Sequence, residues 1–124
     1  MKKIIIETGN IKLHAKLNDS ETARVISGIL PITGSANVWG DEIYFTVPMH
    51  VEEAPDAKQE VEVGDLAFWP AGDAFCIFFG RTPVSISEMP RAYSPVNVFG
   101  KILGDATVLK KVSDAEQVVV MREE

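Results

Sequence analysis

Val96-Asn97-Val98-Phe99-Gly100-Lys101-Ile102-Leu103-Gly104-Asp105 reads as an apolar strand that is interrupted at one glycine and turns at Gly104-Asp105. β-branched and aromatic residues favour extended chain, and a glycine among them relieves the backbone while Phe99 packs. The same grammar repeats on the N-terminal side and once more beyond. Short apolar runs near 33–39, 43–47, 60–63, 65–69, 74–79 and 118–122 are separated by Gly40-Asp41, Pro48, Gly64-Asp65, Pro70-Ala71-Gly72-Asp73 and Gly80. So many short strands between turn residues predict a mainly β chain, a small barrel or sandwich. Ala106 to Val112 fits either a short helix or a turn.

The N-terminal third follows a different pattern. Lys2 to Glu7 reads as a strand, Thr8-Gly9-Asn10 as a tight turn, and Ile11, Leu13, Ala15 and Leu17 then alternate with Lys12, His14 and Lys16. That alternation marks a strand buried on one face, so the two segments predict a hairpin. A helix is expected next. Asn18 can cap it with Glu21 three residues later, Ala23, Ile26 and Leu30 supply one apolar face, and Pro31 ends it. Two longer loops remain, the acidic Met49 to Gln59 and the proline-rich Thr82 to Pro95. Loops above roughly 12 residues tend to be functional or mobile.

Composition bounds the possible roles. The 124 residues suit a single domain spanning 1–124, with 46% hydrophobic and 24% charged residues. Twelve Lys and Arg against 18 Asp and Glu give a net charge of −6, which argues against nucleic acid as a partner. The apolar run after Met1-Lys2-Lys3 stops at Glu7, so it is too short for a signal peptide, and no run is long enough to span a bilayer. With a single cysteine, Cys76, no intrachain disulfide forms. A cytoplasmic protein without membrane partners is expected.

Ordinary catalytic constellations are missing from the sequence. His14 and His50 are the only histidines, too few for a His-rich zinc site, and Cys76 alone cannot complete a cysteine one. His14 lies between Lys12 and Lys16 on a solvated strand face, and His50 opens the acidic loop beside Glu52 and Glu53, where an exposed histidine outweighs a metal ligand. Cys76, flanked by Phe75 and Ile77, reads as a buried, inert thiol. No phosphate-cradling Gly-Lys-Ser/Thr motif is present. Accordingly no catalytic residue, metal or cofactor is assigned.

The aromatics are more informative. Phe75, Ile77 and Phe79 share one strand face and Cys76 and Phe78 the other, while Ile43, Phe45 and Val47 oppose Tyr44 and Thr46. One face of each strand fills the interior, which leaves Tyr44, Phe78 and Trp69 on the outside. Two uses of that outer face are open: cover by the long loops or a second subunit in a homo-oligomer, or an apolar groove rimmed by Tyr44, Trp69 and Arg81.

The opening stretch resembles the Val-Phe-Gly-Lys-Val strand of cyclophilins, the prolyl isomerases. Leu17-Asn18-Asp19-Ser20-Glu21-Thr22-Ala23 is similar to that family's entry into its first helix, Gly72-Asp73-Ala74-Phe75-Cys76-Ile77 resembles its Gly-Ser-Gln-Phe-Phe-Ile strand, and Val118 to Met121 matches its final strand in position. Trp39 to Phe45, Gly64 to Pro70 and Phe78 to Pro83 are similar to stand-alone bacterial and archaeal cyclophilin-like proteins of uncharacterised function. The resemblance implies a closed antiparallel β-barrel of about eight strands with a capping helix near the N-terminus. Carried over residue by residue, it puts Thr46 at the family's catalytic Arg and Glu62 or Val63 near its Gln. Cys76 falls at the second pocket Phe beside a retained Phe75, and Val96 at the pocket His. The expectation is a binding module for a small molecule or extended peptide, with Tyr44, Thr46, Trp69, Phe75, Cys76, Phe78, Arg81 and Val96 as its site. The alternative is a divergent isomerase that uses Arg81 or Arg91.

Overall fold

The computed structural model describes residues 2–123. Ten strands form one antiparallel sheet: β1 (Lys3–Thr8), β2 (Ile11–Leu17), β3 (Ile32–Ser35), β4 (Asn37–Trp39), β5 (Glu42–Thr46), β6 (Lys58–Glu60), β7 (Asp65–Trp69), β8 (Ala74–Phe78), β9 (Arg91–Leu103) and β10 (Gln117–Arg122). One α-helix, α1 (Glu21–Ile29), follows β2, and Ala106–Lys111 is a 3-10 helix. The strand order is β3-β10-β1-β2-β9-β7-β8-β5-β4, with β6 paired onto β9.

Two expectations are corrected here. The sheet has ten strands rather than about eight, and its hydrogen-bond ladder does not close into a barrel. The ends of the order, β3 and β4, are successive in the chain with only the buried Ala36 between them. The sheet therefore curls until its two ends meet through a covalent link instead of a ladder. At that junction Ala36 N donates to Glu116 O at 2.8 Å and Ala115 N to Ala36 O at 2.8 Å. Asp114 Oδ1 accepts from Val38 N at 3.0 Å and occupies an edge amide of β4. The apolar run read near 33–39 is thus two strands, because the chain passes at Ala36 from one end of the sheet to the other.

The helix starts one turn feature later than expected. Ser20 is the N-cap, its hydroxyl accepting from Ala23 N at 3.1 Å. Asn18 instead supports the cap, accepting from Ser20 N at 3.0 Å. Leu30 is already extended, as the residue before a proline must be, so α1 stops at Ile29. Thr22, Ala23, Ile26 and Ser27 are its buried residues, and α1 packs against β9.

β9 organises the interior. Its register against β7 shifts, with Leu66 opposite Gly100 but Ala67 opposite Val98, so Phe99 is an extra residue. This bulge resets the in-out alternation, and Phe99 and Ile102, three apart, both reach the core. Gly100 faces Leu17 across β2, and a Cβ there would sit 2.7 Å from Lys16 O, a backbone atom that cannot move aside. That is the physical reason for the glycine in the opening stretch. Phe75 stacks on Phe45 at 5.1 Å between ring centroids and meets Phe99 edge-on at 5.0 Å. Such pairs add about 0.5–1.5 kcal/mol each beyond burial. Asn97, also buried, ties β9 to its surroundings: Oδ1 accepts from Ala54 N at 2.8 Å, while Nδ2 donates to Glu52 O at 3.0 Å and Thr22 Oγ1 at 3.2 Å.

The region read as a loop up to Pro95 is strand from Arg91, so β9 runs for 13 residues. The expected strand near 60–63 is instead the short β6, whose register on β9 is irregular. No helix among the described residues is long and apolar enough to cross a membrane.

Candidate functional site

Cross-strand register gathers one set of side chains on the face of the sheet away from the main core. Directly paired residues point to the same side, as do residues two apart on one strand. Trp39 pairs with Glu42, Tyr44 with Cys76, and Cys76 with Ala67, which in turn pairs with Val98. Steps of two along each strand add Tyr44 to Glu42, Trp69 to Ala67 and Val96 to Val98. The outer face is therefore itself apolar. Val61, Ala67, Ala74, Cys76, Phe78, Ala92 and Val96 form a second buried cluster, with Tyr44, Trp69 and Val98 packed against it.

A pocket of about 200 Å³ opens on this face. Cys76, Ala92, Val96 and Glu42 line its depth; Trp39, Tyr44, Trp69 and Tyr93 complete the lining. Tyr93 is 68% exposed and stands edge-to-face against both tryptophans, at 6.2 Å from Trp39 and 6.1 Å from Trp69 between ring centroids. Trp69 Nε1 donates to Ser94 Oγ at 2.6 Å, which fixes the indole. Gln59 Nε2 donates to Ala92 O at 3.0 Å and Tyr93 O at 3.1 Å, holding the start of β9 beneath the ring.

Glu42 is the unusual member. It is 5% exposed, and its Oε1 is buried without a hydrogen-bond partner among the described residues. Desolvation raises its pKa from 4.5 to about 7, and the neighbouring Cys76 thiol opposes the rise without cancelling it. The Cys76 thiol is pushed well above its ordinary value by burial and by the Glu42 carboxylate, so it stays neutral and unreactive. No Lys, Arg or His lines the pocket among the described residues.

The expected site residues divide. Tyr44, Trp69, Cys76 and Val96 line the pocket together. Phe75 does not; it points into the main core, fully buried between Phe45 and Phe99. Phe78 is fully buried in the second cluster and lies outside the lining. Thr46 is exposed at the end of β5, and Arg81 is exposed beyond β8, both outside the lining. Arg81 acts through its backbone, its carbonyl accepting from Asp41 N at 2.8 Å. Arg91 is half-buried, donating to Gln59 Oε1 at 3.3 Å and Val84 O at 3.4 Å. Glu62 is exposed and pairs with Lys101 Nζ at 2.6 Å.

Trp39, Glu42, Ala92 and Tyr93 were not foreseen. Glu42 was within reach, since the alternation that put Tyr44 and Thr46 outside puts Glu42 there as well. Tyr93 was hidden by Pro95, which made its segment read as loop.

The histidines make pairs rather than a metal site. His50 Nδ1 meets Asp73 Oδ1 at 2.6 Å and its Nε2 meets Glu52 Oε2 at 2.6 Å, so the two carboxylates sit on different ring nitrogens. His14 Nδ1 meets Glu123 Oε1 at 2.6 Å. No group of three or more His, Cys, Asp or Glu is placed to hold a metal among the described residues.

A family description, Cyclophilin-like, matches residues 2–121. The solution structure of a hypothetical protein from Archaeoglobus fulgidus is similar at 42% identity and a TM-score of 0.82, over 98% of this chain and 95% of that one. No functionally curated protein matches.

Proposed function

We propose, on the premise that this chain belongs to the cyclophilin-like family, that it is a binding module whose aromatic pocket holds a small molecule or one side chain of an extended peptide, without isomerising prolyl bonds. The observation that carries this is the pocket between Trp39, Tyr44, Trp69 and Tyr93 on an otherwise apolar sheet face. Apolar walls with one precisely placed polar group are the usual form of a ligand site. At about 200 Å³ the pocket suits a single compact group rather than a drug-sized molecule, which occupies roughly 300–1,000 Å³.

Isomerisation asks for something else. The barrier of about 20 kcal/mol falls when a donor meets the prolyl nitrogen as amide resonance is lost. Glu42 is the one charged side chain lining this pocket among the described residues, Arg91 is engaged by Gln59 and Val84, and Arg81 lies outside. These placements favour binding over catalysis.

A thermal-shift panel of small amines, carboxylic acids, neutral alcohols and a prolyl tetrapeptide tests the binding, because a ligand for the native state raises the melting temperature. At least one class should stabilise the protein and fail to stabilise Tyr44→Arg, which fills the pocket. A panel without effect, or equal stabilisation of the variant, contradicts the proposal. A protease-coupled prolyl assay tests the second half. Activity like that of an ordinary cyclophilin, lost in Arg81→Ala or Arg91→Ala, would establish the divergent isomerase instead.

A further inference from the structure

We infer that the pocket takes an organic cation, a quaternary or methylated ammonium group, with Glu42 as its counter-ion and the surrounding rings as its walls. This rests on the binding-module reading above and names its ligand class.

A carboxyl on an apolar face is unfavourable unless something pairs with it. Glu42 Oε1 has no such partner among the described residues, although the side chain is 5% exposed and lines the pocket. A leucine would satisfy the packing without that penalty, so the carboxyl points to a positively charged occupant. The walls fit the same charge. Trp39 and Trp69 each stand steeply to Tyr93, at 68° and 80°, which makes a ring-walled corner. Aromatic faces carry negative quadrupoles that attract cations, tryptophan most strongly. A primary ammonium would look for three acceptors, whereas Glu42 is the one carboxylate lining the pocket among the described residues; each methyl removes one N–H, and a quaternary cation needs no acceptor. The volume of about 200 Å³ suits such a head group. An anionic ligand is disfavoured by Glu42 and by the protein's net charge of −6.

The titratable groups facing Glu42 are few: Cys76 from β8, Tyr93 from β9 and Tyr44 from its own strand. Cys76 stays neutral. With Glu42 titrating near 7, a bound cation draws it to the ionised form, and a proton leaves on binding at neutral pH.

Calorimetry with choline and its uncharged isostere 3,3-dimethylbutan-1-ol tests this on the whole chain. Choline should bind at pH 8 about tenfold more tightly than the alcohol. Its affinity should weaken below pH 6, and at pH 7 two buffers of different ionisation heat should reveal proton release. Glu42→Gln should sharply reduce the preference for choline, leaving only what the rings supply. Tyr93→Leu, which removes one aromatic wall at a largely exposed position, should weaken choline by a larger factor than the alcohol. Equal affinity for the two probes, or choline binding unchanged in Glu42→Gln, overturns the cation inference and leaves an apolar pocket standing. Silence of both probes at high millimolar concentration also overturns it. The binding reading falls as well only if the thermal-shift panel is silent too.

Discussion

Glu42 and His50 both hold their protons more tightly than free side chains do, and for opposite reasons. Burial lifts the Glu42 carboxyl to about 7, so the native state favours its protonated form. Its stabilising contribution is fully present below pH 4.5 and is lost as the pH rises through about 7. Glu42→Gln keeps the shape without the charge. It should match the wild type near pH 4 and exceed it by roughly 3 kcal/mol at pH 8 in urea unfolding. An unchanging difference across that range would show that the carboxyl is not desolvated. His50 is exposed, and its pKa is raised from 6.5 first by its hydrogen bond to Asp73 and then by that to Glu52. Here the advantage of wild type over His50→Gln should be full below pH 6.5 and fade as the pH climbs through the raised value. Unfolding midpoints at pH 5.5 and 8.5 check the direction.

At the scale of elements, β9 does most of the joining, and it does so through a bulge and a glycine. Gly100→Ala drives a methyl to 2.7 Å from Lys16 O, a backbone atom of β2, with the Leu17 and Leu66 side chains at 3.4 Å. A cost of about 3 kcal/mol or more is expected, seen as a lower denaturation midpoint with an unchanged slope. This strand was legible from its residues, glycine included, because alternation and turn chemistry are local. The boundaries that local patterns could not supply are those set by distant partners. Arg91 to Pro95 is strand because β6 pairs with it and Gln59 holds its carbonyls, although Pro95 suggests loop. Half the candidate site was legible, three residues from strand alternation and Val96 from the family resemblance. Tyr44, Trp69 and Cys76 follow from strand alternation, whereas Trp39 and Tyr93 come from elements whose pairing the sequence does not announce.

For the whole molecule the decisive fact is how the sheet ends meet. β3 and β4 lie at opposite ends of the strand order but are neighbours in the chain, and β3 crosses against β5 where Gly34 faces Phe45. A Cβ at Gly34 would lie 2.8 Å from Phe45 Cγ, so any larger residue there must displace the Phe45 ring. Gly34→Ala should destabilise the fold by about 1–3 kcal/mol. Exchange should also speed up at the Ala36 and Ala115 amides, which bond across the junction. A neutral result would mean that Phe45 moves aside freely. The resemblance to cyclophilins foretold a closed barrel; the sheet instead curls and joins its ends through Ala36. That curl also leaves β4, β5, β8, β7 and β9 presenting one outer face, and the central claim concerns the pocket on it. The most direct measurement is the indole N–H resonances of Trp39 and Trp69 during a choline titration at pH 8. Both should shift saturably together in the wild type, and in Glu42→Gln the same shifts should need about tenfold more choline. Indole signals that remain still while resonances elsewhere respond would contradict the assignment of this face as the binding site.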